Sequence, residues 1–377
     1  MEEKRRVYYF DYLRVIAAVS VVYMHAVSSL LRGPIEINWH LSNLFTSFAF
    51  TAVPLFFMMS GYLLLSEEKT MDVSVLLRKR LPRLIFPLVG WSIVVVLYQM
   101  YVAQTYTLRA LYDGLVSALT TPAQISYWYM YTLIAIYAIS PVLAGGLRVL
   151  DEKGHRYVVV LASLASLRAM LKAVTPDGAD HLLNVDILDK LTFFSGNLST
   201  FVLGYYLGNL KKRIPNGILL SGAAVVLAII VAGTTVLTRK SGTYDATFQS
   251  QGAGFEVLLA GLVFLLFKQN ANKPSRLLER VPLVPLSLAM YMMHAVLLSM
   301  MYRVGFTIGS FLDAVVVTLI NMTVCFFTMK TVATIKPICY LATGMPYRVA
   351  CDRCNWVYTF RWIRAWMGKR RGAVPES

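Results

Sequence analysis

Long apolar stretches, broken by short polar segments, fill most of this 377-residue sequence and constrain its fold more than any other feature. Hydrophobic residues make up 57% of the chain and charged residues 15%, against about 25% charged residues in an average soluble domain. A soluble fold could not bury this much apolar sequence, and a disordered chain would be far more polar. Because the stretches are continuous rather than alternating, they predict an all-α integral membrane protein and not a transmembrane barrel.

Ten of these stretches are candidates for helices that cross a bilayer. The predicted spans are 10–31, 44–66, 84–103, 127–145, 157–174, 192–210, 217–237, 253–267, 283–302 and 307–335. If the N-terminus is cytoplasmic, most of the 36 Lys and Arg residues fall in segments on the inner side, as the positive-inside rule requires. The sequence therefore predicts a bundle of about ten transmembrane helices with both termini in the cytoplasm.

The net charge of +16 follows from this topology and gives no reason to expect a nucleic-acid partner. The four cysteines are all near the C-terminus, on the predicted cytoplasmic side, where a disulfide framework is not expected. One CxxC without a second pair is a weak zinc signal, so we expect no metal site. We divide the chain into a membrane domain, 1–335, and a basic, Trp/Arg-rich cytoplasmic tail, 336–377. The tail is either a helix on the anionic inner leaflet or a disordered segment.

Arg14 and His25 lie in the first predicted span, where ionisable side chains are costly and by default mark a functional site. Eleven residues are about three helical turns, so the two side chains point in nearly the same direction, ~16 Å apart along the axis. We call the stripe of the first span that runs from Arg14 to His25 the polar seam. It suits a group-donating substrate with an anionic head and a long, thin arm. The alternative is that Arg14 pairs with Asp11 at the membrane surface and His25 bonds a neighbouring helix.

Two more patterns lie near the predicted cytoplasmic face. Arg80 and Arg83 belong to a cationic run, and an arginine can bind a phosphate through two parallel hydrogen bonds. By composition alone, however, the run is an ordinary positive-inside anchor. Ser60 and Gly61 follow two phenylalanines in the second span, where close helix packing is the simpler explanation for small residues.

Two other patterns lie deeper in the predicted membrane. Tyr291 and His294 share one helix face in the ninth span, and His294 reaches the depth of His25, so the two histidines could meet. The alternative for His294 is a bond to a backbone carbonyl. Trp128 and Tyr129 belong to an aromatic run at the outer start of the fourth span, which favours an interfacial aromatic belt. Stacking against a sugar acceptor is the second interpretation.

These patterns occur in one order along residues 8–335: Arg-x10-His, Phe-Phe-x-x-Ser-Gly-Tyr, Arg-x-x-Arg, Tyr-Trp-Tyr and Tyr-x-x-His. As an ordered set they resemble the acyltransferase family 3 membrane proteins, here in a form without an esterase-like domain. The resemblance implies ten spans in the plasma (inner) membrane. It also implies transfer of an acyl group, usually acetyl, from acyl-CoA to a hydroxyl of a cell-surface sugar, polysaccharide or lipid-linked acceptor.

The resemblance also implies roles for individual residues. His25 is expected to be the catalytic histidine, and Arg14 to order the site or hold the CoA. Arg80 and Arg83 are expected at the CoA phosphates, with Ser60 and Gly61 in the same donor site. The expected substrate-binding residues are Trp128, Tyr129, Tyr291 and His294.

Two other functions remain open at this stage, and so does a homodimer. One is a membrane transporter that moves a small amino acid or a sugar-related substrate through the same polar seam. The other is a non-catalytic partner in polysaccharide assembly, although such a partner needs no histidine at mid-membrane depth.

Overall fold

The computed structural model describes residues 6–175, 196–250 and 254–354 together with Trp356, and every regular element in these ranges is helical. The helices of eight residues or more are α1 Tyr8–Leu31, α2 Ile37–Ala49, α3 Ala52–Leu65, α4 Pro82–Ala103, α5 Leu108–Thr120, α6 Trp128–Val149, α7 Glu152–Val174, α8 Asn197–Asn209, α9 Asn216–Ser241, α10 Gly254–Asn270, α11 Leu283–Arg303, α12 Phe311–Val332, α13 Lys336–Thr343 and α14 Tyr347–Cys354.

Seven helical segments of the described chain are long and apolar enough to cross a membrane. They are α1, α2 with α3, the segment Val73–Ala103 that contains α4, α5 with α6, α9, α11 and α12. This confirms a multi-pass, all-helical membrane protein. The predicted spans 157–174, 192–210 and 253–267 fall on α7, α8 and α10, although residues 192–195 and 253 lie outside the described ranges. Helices α8 and α10, with 13 and 17 residues, are shorter than a full span, and α7 is not among the seven. The count of ten and the orientation therefore stay predictions.

Glycines bring α3 and α8 into backbone contact. A Cβ atom at Gly61 would overlap the carbonyl oxygen of Phe201, and one at Gly204 would overlap the backbone of Met58. Small residues allow this approach in a membrane, where helices associate by close packing rather than by a hydrophobic driving force. The contact fixes α3, which carries the Phe-Phe-x-x-Ser-Gly-Tyr run, at the centre of the bundle.

Helices α1 and α11 run side by side in the same direction. Near their C-terminal ends, the hydroxyl of Tyr302 donates to the carbonyl of Ala26 at 3.2 Å. At the other end of α1, the ring of Phe10 lies 5.5 Å from that of Tyr62, at the C-terminal end of α3. We call the end of the bundle where α1 begins the proximal end and the opposite end the distal end.

The first part of the predicted tail is packed against α4. Trp91 donates from Nε1 to the carbonyl of Ala342 at 3.0 Å. Gly344, which ends α13 with φ +68°, lies so close to the Arg83 carbonyl that a Cβ atom would overlap it. Residues 336–354 therefore form two helices that belong to the bundle. The rest of the tail, apart from Trp356, lies outside the described residues, where its predicted membrane-surface helix also falls.

Candidate functional site

Arg14 lies on α1, nearly two turns from its first residue at the proximal end and close to Asp11. The Asp11 carboxylate is bound mainly by Arg6, at 2.7 Å, whereas Arg14 Nη1 is 3.9 Å away from it. The Arg14–Asp11 pair, the alternative interpretation of Arg14, is therefore present but loose. Much of the Arg14 charge stays available at this end of the polar seam.

His25 lies further along the same stripe of α1, and its ring faces His294 of α11. The two ring centroids are 5.2 Å apart. His25 is half-buried, and its ring makes no hydrogen bond or ion pair to another described residue. The structure thus brings together the two histidines that the sequence places at similar depth.

His294 is fully buried and is held at one nitrogen only. Its Nδ1 bonds the carbonyl oxygen of Tyr291, and since a carbonyl only accepts, Nδ1 carries the proton in this bond. Its Nε2 is buried without a partner in the described part of the chain. Asn321 of α12 donates to the His294 carbonyl at 3.0 Å and fixes the backbone here. A neutral His294 therefore offers a lone pair at Nε2 beside His25.

A row of aromatic rings continues from His294 toward the proximal end. Tyr291 lies 5.6 Å from His294, and Tyr129 of α6 lies 5.7 Å from Tyr291 between ring centroids. The Tyr291 hydroxyl bonds the Ser126 carbonyl, so this ring is fixed in place. The row forms one wall along the polar seam between His25 and Arg14.

The aromatic run at the start of α6 is not the interfacial belt that its composition favoured. Tyr127 is fully buried and donates to the Met292 carbonyl at 2.7 Å. Tyr129 is buried against Phe57, with ring centroids 5.0 Å apart. Trp128 is half-buried beside Tyr129. The reason is that this segment packs on α3 and α11 instead of facing lipid.

Tyr137 of α6 is a site residue that sequence reasoning missed. It lies within electrostatic range of Arg14, Arg80 and Arg83, and its hydroxyl interacts with Ser60. Ser60 interacts in the same way with Tyr129. No motif pointed to Tyr137. The structure thus places Ser60 between the tyrosine wall and the cationic proximal end, whereas the neighbouring Gly61 faces Phe201.

The remaining histidines lie elsewhere. His155 lies in α7, where its Nδ1 is 2.8 Å from the Tyr206 hydroxyl. His40 lies against Trp39, at 5.3 Å between ring centroids, and His181 lies outside the described residues. No group of three or more metal-ligand side chains occurs in the described ranges.

The chain matches the model of a known protein family. The model of the family Acyl_transf_3, described as an acyltransferase domain, matches residues 7–330, which is nearly the whole chain. The resemblance stated from the ordered motifs is therefore confirmed. No curated protein and no solved structure gives a significant match.

Proposed function

We propose a function from one premise: the chain belongs to the Acyl_transf_3 family of acyltransferase domains, and it is a multi-pass membrane protein. We infer that it transfers an acyl group, in the simplest case acetyl, from acyl-CoA to a hydroxyl of a cell-surface sugar, polysaccharide or lipid-linked acceptor. In this proposal the chain spans the plasma (inner) membrane ten times. Its N-terminus is cytoplasmic, so the proximal end faces the CoA pool.

The pairing of His25 with His294 is the observation that carries this proposal. A neutral His25 accepts the proton of the acceptor hydroxyl while that oxygen attacks the thioester carbonyl. The carbon–sulfur bond then breaks, and the CoA thiolate leaves with the proton returned by the imidazolium. General-base catalysis of this kind contributes about 10²–10⁴-fold to a rate.

A covalent route uses the same residue. His25 attacks the thioester first, CoA leaves as the thiol, and the acetyl group passes from His25 to the acceptor hydroxyl. This route lets the donor stay on one side of the membrane and the acceptor on the other. A quenched reaction with labelled acetyl-CoA separates the two routes, because only the covalent one leaves label on the His25 peptide.

The proximal end supports acyl-CoA as the donor. Arg14, Arg80 and Arg83 all lie within electrostatic range of Tyr137 there, which is where an anionic head group would be recognised. Between this cluster and His25 runs the seam with its tyrosine wall, which would receive the thin pantetheine arm. The wall residues Tyr129 and Tyr291, with Trp128 and His294, would contact the substrate.

The test is release of label from radiolabelled acetyl-CoA by the purified protein in detergent, with and without added glycolipid. We expect His25→Ala to lose at least about 10²-fold in rate, while His40→Ala, at a histidine outside the site, keeps wild-type activity. Unchanged release by folded His25→Ala would overturn His25 as the base. Absence of CoA binding and release by the wild type, together with substrate counterflow in liposomes, would favour the transporter instead.

A further inference from the structure

Arg80 and Arg83, which the family motif pairs, are held in different ways in this structure. Arg80 donates from Nη1 to Thr70 Oγ1 at 2.6 Å and from Nη2 to Glu67 Oε2 at 2.8 Å. Only 13% of its side chain is exposed, and 24% of that of Glu67. Arg83 is exposed and makes no hydrogen bond or ion pair with any described residue. The two guanidinium groups therefore cannot do the same work.

The contacts of Arg80 join two parts of the proximal end. Thr70, which accepts from Arg80, donates a hydrogen bond from its own hydroxyl to the Leu64 carbonyl near the end of α3. Hydrogen bonds from Arg80 to Thr70 and from Thr70 to Leu64 therefore hold the segment between α3 and α4 in place. Charge-assisted hydrogen bonds such as those of Arg80 are strong and directional, so they fix where α4 begins.

The backbone explains why the two arginines diverge. Residues Leu76–Arg80 form one π-helical turn, in which the N–H of Leu81 bonds the Leu76 carbonyl at 2.9 Å. Residues three apart share one side of a regular α-helix, but a wide turn followed by Pro82 breaks that register. Arg80 consequently faces the α3–α4 connection, whereas Arg83 opens α4. The Arg83 backbone is fixed from behind by Gly344.

We propose that Arg83 is the residue that contacts the phosphates of the donor, and that Arg80 is a positioning residue which acts through Glu67 and Thr70. A phosphate approaching Arg80 would meet the Glu67 carboxylate and find two of the guanidinium donors already engaged. Arg83 offers all five N–H donors and an uncompensated charge. The inference rests on the proposed function, since it assumes a donor with phosphate groups.

Three acyl donors test these two different roles of Arg83 and Arg80. They are acetyl-CoA, 3′-dephospho-acetyl-CoA and acetyl-pantetheine, of which the last carries no phosphate. We expect Arg83→Gln to raise KM for acetyl-CoA about tenfold with kcat nearly unchanged, as for loss of one charge-assisted contact. The defect should vanish with acetyl-pantetheine. Arg78→Gln, at an exposed arginine in the same cationic run, is the matched control and should behave like the wild type.

The positioning role predicts a different pattern for Arg80. Arg80→Gln should lower kcat/KM by the same factor for all three donors, and Glu67→Gln should reproduce that loss. Arg80→Lys should not restore activity, because one ammonium group does not reproduce the planar fork that reaches both Glu67 and Thr70. A loss in Arg80→Gln that disappears with acetyl-pantetheine would overturn the proposal. An equal loss with every donor in Arg83→Gln would overturn it as well.

Binding measurements separate this inference from the proposed function. Equilibrium dialysis with radiolabelled CoA needs no acyl transfer. Suppose that the wild type binds CoA, that Arg83→Gln binds it more weakly, and that neither protein transfers an acyl group. The inference then stands and the proposed reaction fails. If Arg80→Gln loses CoA binding but Arg83→Gln does not, the inference fails, whereas the proposed acyltransferase function still stands.

Discussion

The imidazole rings of His25 and His294 lie 5.2 Å apart between centroids, with their planes inclined by 44°. The two residues come from α1 and α11, so helices far apart in the sequence meet at this point. His294 is fixed at Nδ1 by Tyr291 and at its carbonyl by Asn321, whereas the His25 ring makes no such contact in the described chain. The pair therefore joins a rigid imidazole to one that is free to react.

His294→Ala should slow acyl transfer without unfolding the protein. The substitution removes Nε2, an unpartnered acceptor beside His25 that would take an N–H from the His25 imidazolium in the proposed reaction. We expect a fall in kcat of about 10–100-fold, smaller than that of His25→Ala because the proposed base itself remains. The measurement is the initial rate of acetyl release, with thermal unfolding in detergent as the test of folding. His40→Ala is the control, and a wild-type rate in His294→Ala would show that the second ring is dispensable.

Gly61→Ala should destabilise the protein rather than weaken donor binding. A Cβ atom here overlaps the Phe201 carbonyl, so α3 and α8 must separate, and overpacking of this kind costs about 1–3 kcal/mol or more. Gly145→Ala on α6 is the matched control, because nothing lies within 4 Å of its Cβ position. Thermal unfolding in detergent compares the two variants. If Gly61→Ala unfolds like the wild type but binds CoA more weakly, the donor-site assignment from the family motif is correct instead.

The sequence predicts the parts of this site that local geometry determines. Helical periodicity places Arg14 and His25 on one stripe, and the predicted topology gives His294 a similar depth. Those two inferences need no tertiary information. The same holds for the helical class of the fold, which follows from the length and continuity of the apolar stretches.

The parts that the sequence does not reveal depend on contacts between distant segments. The π turn before Pro82 and the bonds from Arg80 to Glu67 and Thr70 leave no local pattern. Tyr137 enters the site only because α6 passes Arg14. The aromatic run at the start of α6 differs from the predicted interfacial belt for the same reason, since composition cannot distinguish a lipid-facing tyrosine from one that packs on another helix.

A buried cluster of hydrogen-bonded polar side chains at α2 gives the third prediction. Gln249 is fully buried, and its Nε2 donates to Asn43 Oδ1 and Ser47 Oγ, each at 2.7 Å. Gln249→Leu removes this donor from both groups and also removes the Oε1 acceptor of the Tyr244 hydroxyl. Each buried polar group left unsatisfied costs about 1–3 kcal/mol of unfolding free energy. Gln99→Leu, at an exposed glutamine of α4, should be close to neutral. Equal melting temperatures of the two variants would show that water replaces the Gln249 amide.

At Glu256, unlike Gln249, we expect that a substitution does not lower the stability of the protein. Both of its carboxylate oxygens are buried and have no hydrogen-bond partner in the described part of the chain. A buried, unpaired charge costs more than a buried neutral amide. We therefore expect Glu256→Gln to melt at the same temperature as the wild type or higher. A clearly lower melting temperature would mean that the ionised carboxylate is used by the folded protein.

The cysteines of the C-terminal helices should differ in reactivity toward an alkylating reagent. Burial raises the pKa of the Cys354 thiol to about 11 and also raises that of Cys339, whereas Cys351 is half-exposed. The thiolate is the reactive form, and a thiol with a raised pKa stays protonated at pH 8. We expect iodoacetamide to label Cys351 first, and peptide mass spectrometry to find Cys339 and Cys354 unmodified until SDS unfolds the protein. Equally fast labelling of Cys354 would show that α14 does not pack against the bundle in solution.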